Sequence, residues 1–465
     1  MIFDTDPLVL LYSFVTFIVI VSLAVSRTRS GAGHDHFFSA PPFAPFLSAS
    51  TFFISSALVF IILAAAAAPF LREHPAGFAV LSVALLAGIA MGALLRDASE
   101  RFRLASSRPV QVLLAVHGFV FTAAVQLLML LVVGDMLLTA LAPGRSVAAG
   151  VFMIAAAGIY ALVGGVGAVM VANIVAAVSV TAALLLLAFG GPFQTGGAET
   201  VTSLFVAGEA AFAHGEMTES GPLLIALGIM LMTAWTAGLE PGTVERMRNS
   251  VRRPVLAAAG GSVLALLFAV TILVRASDGS GTVPAATSAD GITTVLLLTG
   301  MTALYALTFQ SSAAVAALRW YPLLAVRPAM ERQQLIGRLT TAAVAAAAVL
   351  LQTFARFTGS SAVVWFTEFL SLLAVPVTAA ALFTAVQRNG RGASAAFAAG
   401  IIYGAAVLFV SAAGSHISIA GSISPYGRAV ESFAVSVIAG AVRVWLPEPA
   451  RFRGVADAGK LTSKV

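Results

Sequence analysis

Long apolar runs alternate with short polar stretches along the whole 465-residue chain. Most runs hold about 20 residues, the length at which an α-helix crosses the hydrocarbon core of a bilayer. We number the thirteen runs as predicted spans 1 to 13, at residues 8–26, 46–70, 76–95, 109–133, 147–164, 168–190, 222–240, 254–275, 291–318, 335–355, 360–386, 394–413 and 427–446. No run shows the strict alternation of a membrane-barrel strand. The pattern predicts an all-α polytopic membrane protein with about thirteen transmembrane helices.

Basic residues orient these spans. Twenty-one of the 26 Lys and Arg residues lie in every second gap between spans or in the C-terminal tail. The remaining five, on the opposite side, are Arg72, Arg145, Arg275, Arg356 and Arg428. Because Lys and Arg are retained on the cytoplasmic side of a membrane, we expect the N-terminus outside and the C-terminus inside. Residues 447–465 then form a short cytoplasmic tail.

Composition narrows the class of protein. Hydrophobic residues make up 59% of the chain and charged residues only 10%. No gap is long enough for a folded soluble domain, so we expect one transmembrane domain over residues 1–465, multi-pass in the cytoplasmic membrane. The net charge of +6 indicates contact with anionic lipid rather than with nucleic acid. The absence of Cys excludes disulfides and thiol chemistry.

Two spans contain signals for an interrupted helix. Residues 238–242 (GLEPG) place Pro241 between two glycines at the inner end of span 7, where the helix either breaks or ends with Glu240 among the lipid headgroups. Span 2 carries a dense group of hydroxyls, which line a cavity or bond back to their own helix: Ser48, Ser50, Thr51, Ser55 and Ser56. Paired interruptions of this kind are typical of inverted-repeat transporters.

Two carboxylates lie within apolar surroundings, where a charge is costly and usually faces the bundle interior or water. Glu368 in span 11 is predicted to contact solute or to bind a proton. Asp135 in span 4 lies nearer an outer end, which favours an interfacial position. His117 and Gln126 are interpreted as packing residues, and the six His residues lack metal-ligand spacing.

Four short motifs follow one another along the chain. They are residues 26–29 and 34–40 (basic turn and "DYFLAG"-like stretch), 159–168 ("iYt..GGl.A"), 244–247 ("vQRyl"), and 367–376 with 387–393 (a helix with a central Pro, then "wkR.n..GA"). In this order they resemble the solute:sodium symporter family over essentially the full chain. Within the second segment, residues 164–167 (GGVG) are expected to form a tight turn between spans 5 and 6, since no Lys, Ser or Thr follows as in a phosphate loop.

The resemblance implies the leucine-transporter fold. Spans 2–6 and 7–11 would form two inverted five-helix repeats, with spans 2 and 7 discontinuous and the solute at the midplane between spans 2, 4, 7, 8 and 11. The residues that we expect to contact solute are Ser55, Ser56, Glu240, Thr367 and Glu368.

The resemblance also implies a sodium site, held in the family by backbone oxygens of spans 2 and 9 and two adjacent hydroxyls of span 9. Alignment through residues 319–321 assigns the carbonyl positions to Thr51, Ile54 and Gly300, and the hydroxyl positions to Ala303 and Leu304. Hard cations need oxygen ligands, so this site is depleted. Thr302 or Thr308 would substitute if the register shifts, and Asn173 stands where the family often has Asp.

The sequence therefore predicts a secondary active, symporter-like transporter of a small polar solute, coupled to Na⁺ or, because the sodium site is depleted, to H⁺. Glu240 and Glu368 favour a cationic, zwitterionic or polyhydroxyl solute. The alternative is a non-transporting membrane sensor or structural subunit on a transporter scaffold, with a partner protein left open. Without a nucleophile–base pair or a metal cluster, an enzyme is not expected, and no cofactor is predicted.

Overall fold

The computed structural model confirms the helical class. It describes residues 6–29, 38, 77–142, 144–189, 222–240, 288–325, 328–354, 366–387, 391–412 and 424–446. Within these residues the chain is almost entirely helical and contains no strand. Predicted spans 2 and 8 lie outside the described residues. So do four predicted site residues, Thr51, Ile54, Ser55 and Ser56.

The helices follow the predicted apolar runs. They are α1 (Pro7–Arg29), α2 (Gly77–Ala105), α3 (Arg108–Val120), α4 (Leu127–Leu141), α5 (Ser146–Phe189), α6 (Pro222–Ala234), α7 (Ser288–Ala314), α8 (Tyr321–Leu324), α9 (Met330–Phe354), α10 (Val375–Gln387), α11 (Arg391–Ala412) and α12 (Pro425–Trp445). In the part of the chain that the structure describes, seven helices are long and apolar enough to cross a membrane. The protein is therefore a multi-pass membrane protein, while the total of thirteen spans and their orientation remain predictions.

Four described spans contain a π-helical turn, in which the backbone hydrogen bonds reach one residue further than in an α-helix. In chain order they are π1 (Phe121–Gln126) in span 4, π2 (Trp235–Leu239) in span 7, π3 (Val315–Trp320) in span 9 and π4 (Leu370–Ala374) in span 11. A π-helical turn inside an α-helix is rare and is frequent at functional sites. These turns therefore indicate spans 4, 7, 9 and 11 as candidates to contribute residues to a functional site.

The long helix α5 contains both predicted spans 5 and 6. Its backbone leaves helical geometry at Gly165, where φ is 56° and ψ is −151°. Only glycine adopts this conformation without a steric penalty, because it has no Cβ. The interruption falls within the predicted GGVG segment at residues 164–167.

The described helices pack in two groups. In the first group, α5 packs against α1, α7 and α9, and α7 also packs against α4. In the second group, α2 packs against α6 and α10, and α12 packs against α6, α10 and α11. Helix α7 is buried along nearly its whole length and forms the centre of the first group. The region where the two groups meet is a candidate position for the functional site.

Glycines let α2 and α6 meet backbone to backbone. A Cβ added at Gly92 would lie 2.3 Å from the carbonyl oxygen of Ala234, and one added at Gly88 would lie 2.6 Å from that of Met230. The spacing Gly88-xxx-Gly92 is the small-residue pattern that allows close helix approach in membranes. At Gly238 an added Cβ would collide with the backbone of Gly92. Helix α2 thus determines the position of turn π2.

Candidate functional site

Three aromatic side chains from three different spans meet between the two helix groups. The rings of Phe121 and Trp235 lie 4.1 Å apart, centroid to centroid, in an edge-to-face arrangement. The ring centroid of Phe366 lies 6.4 Å from that of Phe121. All three side chains are buried. We call Phe121, Trp235 and Phe366 the aromatic junction.

The aromatic junction coincides with departures from α-helical geometry. Phe121 is the first residue of π1, and Trp235 is the first residue of π2. Phe366 lies four residues before Leu370, where π4 begins. A π-helical turn shifts the faces of the helix on either side of it, so it changes which side chains point toward the neighbouring span. Sequence periodicity assumes a regular helix and did not single out these three residues.

Trp235 brings an unpaired donor to the junction. Its side chain is 1% exposed, and Nε1 finds no hydrogen-bond acceptor among the described residues. A buried donor without an acceptor costs about 1–3 kcal/mol. A ligand that supplies an acceptor would remove that cost.

Glu240 closes turn π2. Its backbone N–H donates to the carbonyl oxygen of Trp235 at 2.9 Å, and its backbone is no longer helical, with φ −59° and ψ 125°. The Glu240 side chain is buried, with 6% exposure. The predicted departure from the helix therefore occurs one residue before Pro241. Whether the helix resumes is decided by residues outside the described part of the chain.

The other two predicted solute contacts, Thr367 and Glu368, follow Phe366 directly. Thr367 is fully buried. Glu368 forms an ion pair with Nη1 of Arg428, whose side chain is only 2% exposed. By its sequence position Arg428 was counted as an outer-side basic residue, and its pairing with Glu368 was not predicted. Its position inside predicted span 13, three residues from Glu431, indicates a buried Arg but does not indicate its partner. The negative charge of Glu368 is compensated, so a cationic solute has less reason to bind there.

Two further polar residues of span 4 have partners in other spans. Asp135 accepts a hydrogen bond from Nε2 of Gln352, at 3.2 Å, and so joins α4 to α9. The Nε2 atom of His117 lies 2.7 Å from the carbonyl oxygen of Leu373 in π4. His117 thus links span 4 to span 11 within a few residues of the aromatic junction.

The span 9 part of the predicted cation site is buried. Ala303 and Leu304 lie in the hydrophobic core of the first helix group, and a Cβ at Gly300 would lie 2.4 Å from Val180. The hydroxyl of Thr302 donates to the carbonyl of Leu298 in its own helix, at 3.1 Å. The hydroxyl of Thr308 is buried and has no partner among the described residues. Because a cation binds the lone pairs of an oxygen, both Thr302 and Thr308 keep a hydroxyl oxygen that could serve as a ligand.

The fold is that of known membrane transporters. It matches the substrate-bound, outward-open state of a Na⁺-coupled sialic acid symporter over 96% of this chain and 98% of that chain, with a TM-score of 0.70 and 14% identity. It also matches Mhp1, a nucleobase-cation-symport-1 family transporter in a closed conformation with bromovinylhydantoin bound, over 88% and 93%, with a TM-score of 0.50 and 13% identity. No protein-family model and no curated protein sequence matches the chain.

These likenesses show a leucine-transporter-like fold, as the resemblance implied. At 14% and 13% identity they do not assign it to the solute:sodium symporter family.

Proposed function

We propose that the protein is a secondary active transporter that moves a small polar solute across the cytoplasmic membrane by alternating access. The observation that carries the proposal is the aromatic junction, where Phe121 of the first helix group meets Trp235 and Phe366 of the second. In transporters of this architecture, alternating access moves one bundle of helices against another around the solute site. Movement between the two helix groups would open and close this contact around the solute.

The junction suggests the chemistry of the solute. Phe121 and Phe366 offer apolar ring surface, while Nε1 of Trp235 offers one hydrogen-bond donor. The nearby carboxylate of Glu240 favours a cationic or zwitterionic group on the solute. The two structural neighbours carry sialic acid and bromovinylhydantoin, so compact polar solutes suit the fold. We therefore propose a compact solute with an apolar face and a hydrogen-bond acceptor.

Coupling to sodium is expected to be weak or absent. A sodium ion that leaves water needs oxygen ligands, and Ala303 and Leu304 present none from their side chains. The carbonyl oxygens of these residues are already used within the helix. A proton is the proposed replacement, with the carboxylate of Glu240 or of Glu368 as its carrier.

Uptake into proteoliposomes tests both parts of the proposal. A panel of solutes is offered under an inward sodium gradient at fixed pH, and separately under an inward proton gradient without sodium. We expect the proton gradient to drive accumulation of at least one solute and the sodium gradient to drive little. Strong sodium-driven uptake would contradict the depleted site. In that case Thr308→Ala should abolish it, since Thr308 would then supply a hydroxyl ligand in place of the positions occupied by Ala303 and Leu304.

The depleted site in α7 also favours a second function, a sensor or structural subunit that binds solute without transport. Quenching of Trp235 fluorescence by a solute would report binding, with Trp235→Phe as the control. Binding in the absence of uptake under either gradient would support the sensor. Binding together with gradient-driven accumulation would exclude it.

A further inference from the structure

Charged and polar side chains of spans 11, 12 and 13 form two pairs near the start of α12. Arg428 of α12 pairs with Glu368, and the hydroxyl of Tyr403 in α11 donates to a carboxylate oxygen of Glu431, at 2.7 Å. Arg428 and Glu431 are three residues apart and therefore neighbours on the surface of α12. The proposed transport function assigns no role to Arg428, Glu431 or Tyr403.

The same part of α12 also contacts the backbone of π4. The hydroxyl of Ser432, one turn after Arg428, lies 3.4 Å from the carbonyl oxygen of Leu372. Helix α11 approaches this carbonyl as well, since a Cβ added at Gly404 would lie 2.5 Å from it. Within span 11, the hydroxyl of Ser371 donates to the carbonyl of Glu368 at 2.8 Å. Turn π4 is thus enclosed by α11 and α12.

A π-helical turn in a membrane protein needs partners outside its own helix, because lipid cannot satisfy irregular backbone groups. For π4 these partners are Ser432 at Leu372 and His117 at Leu373. Phe366 and Thr367 come directly before Glu368. Residues 366–374 are therefore held in place by contacts with neighbouring spans, and the ion pair of Glu368 with Arg428 adds a contact between opposite charges.

We propose that Arg428 is a positioning residue for the solute site. Its ion pair with Glu368 holds residues 366–374 against α12 and thereby keeps Phe366 at the aromatic junction. Glu368 then serves as the attachment point for Arg428 and not as a solute ligand. The transport part of this inference rests on the proposed function, whereas the structural part does not.

The test alters both charges together, because removing one partner would leave the other buried and uncompensated. The main variant combines Glu368→Gln with Arg428→Gln, and Arg428→Lys keeps the charge. The matched control combines Glu100→Gln with Arg103→Gln, an ion pair within the single helix α2. Each variant is the full chain in lipid nanodiscs, checked for folding by its melting temperature.

Amide hydrogen exchange, read by mass spectrometry, gives the structural answer. In the Glu368→Gln/Arg428→Gln variant, here called the neutral pair, we expect the backbone amides of residues 366–374 to exchange about tenfold faster. The reason is that local opening of this segment becomes easier. Exchange in α9 should not change. Arg428→Lys and the α2 control should resemble the unaltered chain in residues 366–374. Unchanged exchange in the neutral pair would overturn the proposal.

Solute uptake separates positioning from simple packing. We expect the neutral pair to raise KM about tenfold, comparable to the loss of one binding contact, with little change in maximal rate. Arg428→Lys should restore most of the affinity. Faster exchange with an unchanged KM would overturn the positioning role. If the unaltered chain transports no solute, the proposed function fails, while the exchange result still decides whether Arg428 holds the segment.

Discussion

Trp235 combines near-complete burial with a donor that lacks an acceptor among the described residues. Trp235→Phe removes this donor and keeps much of the ring. We expect the melting temperature to stay the same or rise slightly, since an unsatisfied group is lost. We expect KM to increase by about fivefold, because a hydrogen bond to solute contributes roughly 1 kcal/mol. Thermal unfolding and uptake on the same preparation measure both effects.

The matched control is Tyr160→Phe. The hydroxyl of Tyr160 donates to the carbonyl of Thr302, at 3.2 Å, within the first helix group. Its loss should lower stability by about 1 kcal/mol and leave KM unchanged. If Trp235→Phe leaves KM unchanged as well, the indole does not contact solute.

Because Glu368 pairs with Arg428, a substitution of either residue alone changes stability by breaking the ion pair as well as by removing its own side chain. Glu368→Gln leaves a buried guanidinium uncompensated, at a cost of about 3–5 kcal/mol. The double variant with Arg428→Gln should be more stable than either single variant. A double-mutant cycle of melting temperatures measures this coupling. If the loss of stability in the double variant equals the sum of the losses in the two single variants, the two charges are not coupled.

At the scale of elements, the contact between α2 and α6 leaves no room for a side chain. Gly92→Ala forces a Cβ to within 2.3 Å of the Ala234 carbonyl, so the two backbones must separate. We expect a loss of about 1–3 kcal/mol or more. Because Trp235 follows Ala234, solute affinity should fall too. Melting temperature and KM report the two effects.

Gly158→Ala is the control for this substitution. At Gly158 an added Cβ would lie 3.0 Å from the Cβ of Ala345, a side-chain atom on α9. Gly158 is also more than 30 residues along the chain from any residue of the aromatic junction. We expect a smaller loss of stability and an unchanged KM. If Gly92→Ala were tolerated as well as Gly158→Ala, the close contact of α2 with α6 would not determine the position of π2.

At the scale of the whole molecule, the orientation of the chain follows from its Lys and Arg residues and is directly testable. The chain has no Cys, so single cysteines can be labelled without background. Thr218→Cys and Thr282→Cys should react with an impermeant maleimide from outside intact cells. Leu104→Cys and Met330→Cys, both exposed on the protein surface, should react only after permeabilisation. Outside labelling at position 330 would overturn the predicted orientation.

Much of the fold could be predicted from the sequence, because a bilayer constrains each segment of the chain separately. Each apolar run must be about one membrane thickness long and must satisfy its own backbone as a helix. For this reason the described helices fall on the predicted spans, and the interruption at Gly165 falls on the predicted GGVG segment. The departure from helix beside Pro241 followed from proline chemistry in the same way. The positions of the described spans and of the interruptions at Gly165 and beside Pro241 were thus determined by the sequence alone.

Which helix faces meet was decided only in the tertiary structure. Phe121, Trp235 and Phe366 lie on three spans, and the apolar pattern makes them indistinguishable from other lipid-facing or packing aromatics. Glu368 and Arg428 are 60 positions apart, so their pairing has no local signature. Turns π1, π2 and π4 arise from packing between spans, because no single-helix preference favours π over α geometry. The physical reason is that solvation by the bilayer acts on each segment separately, whereas the candidate site depends on contacts between segments.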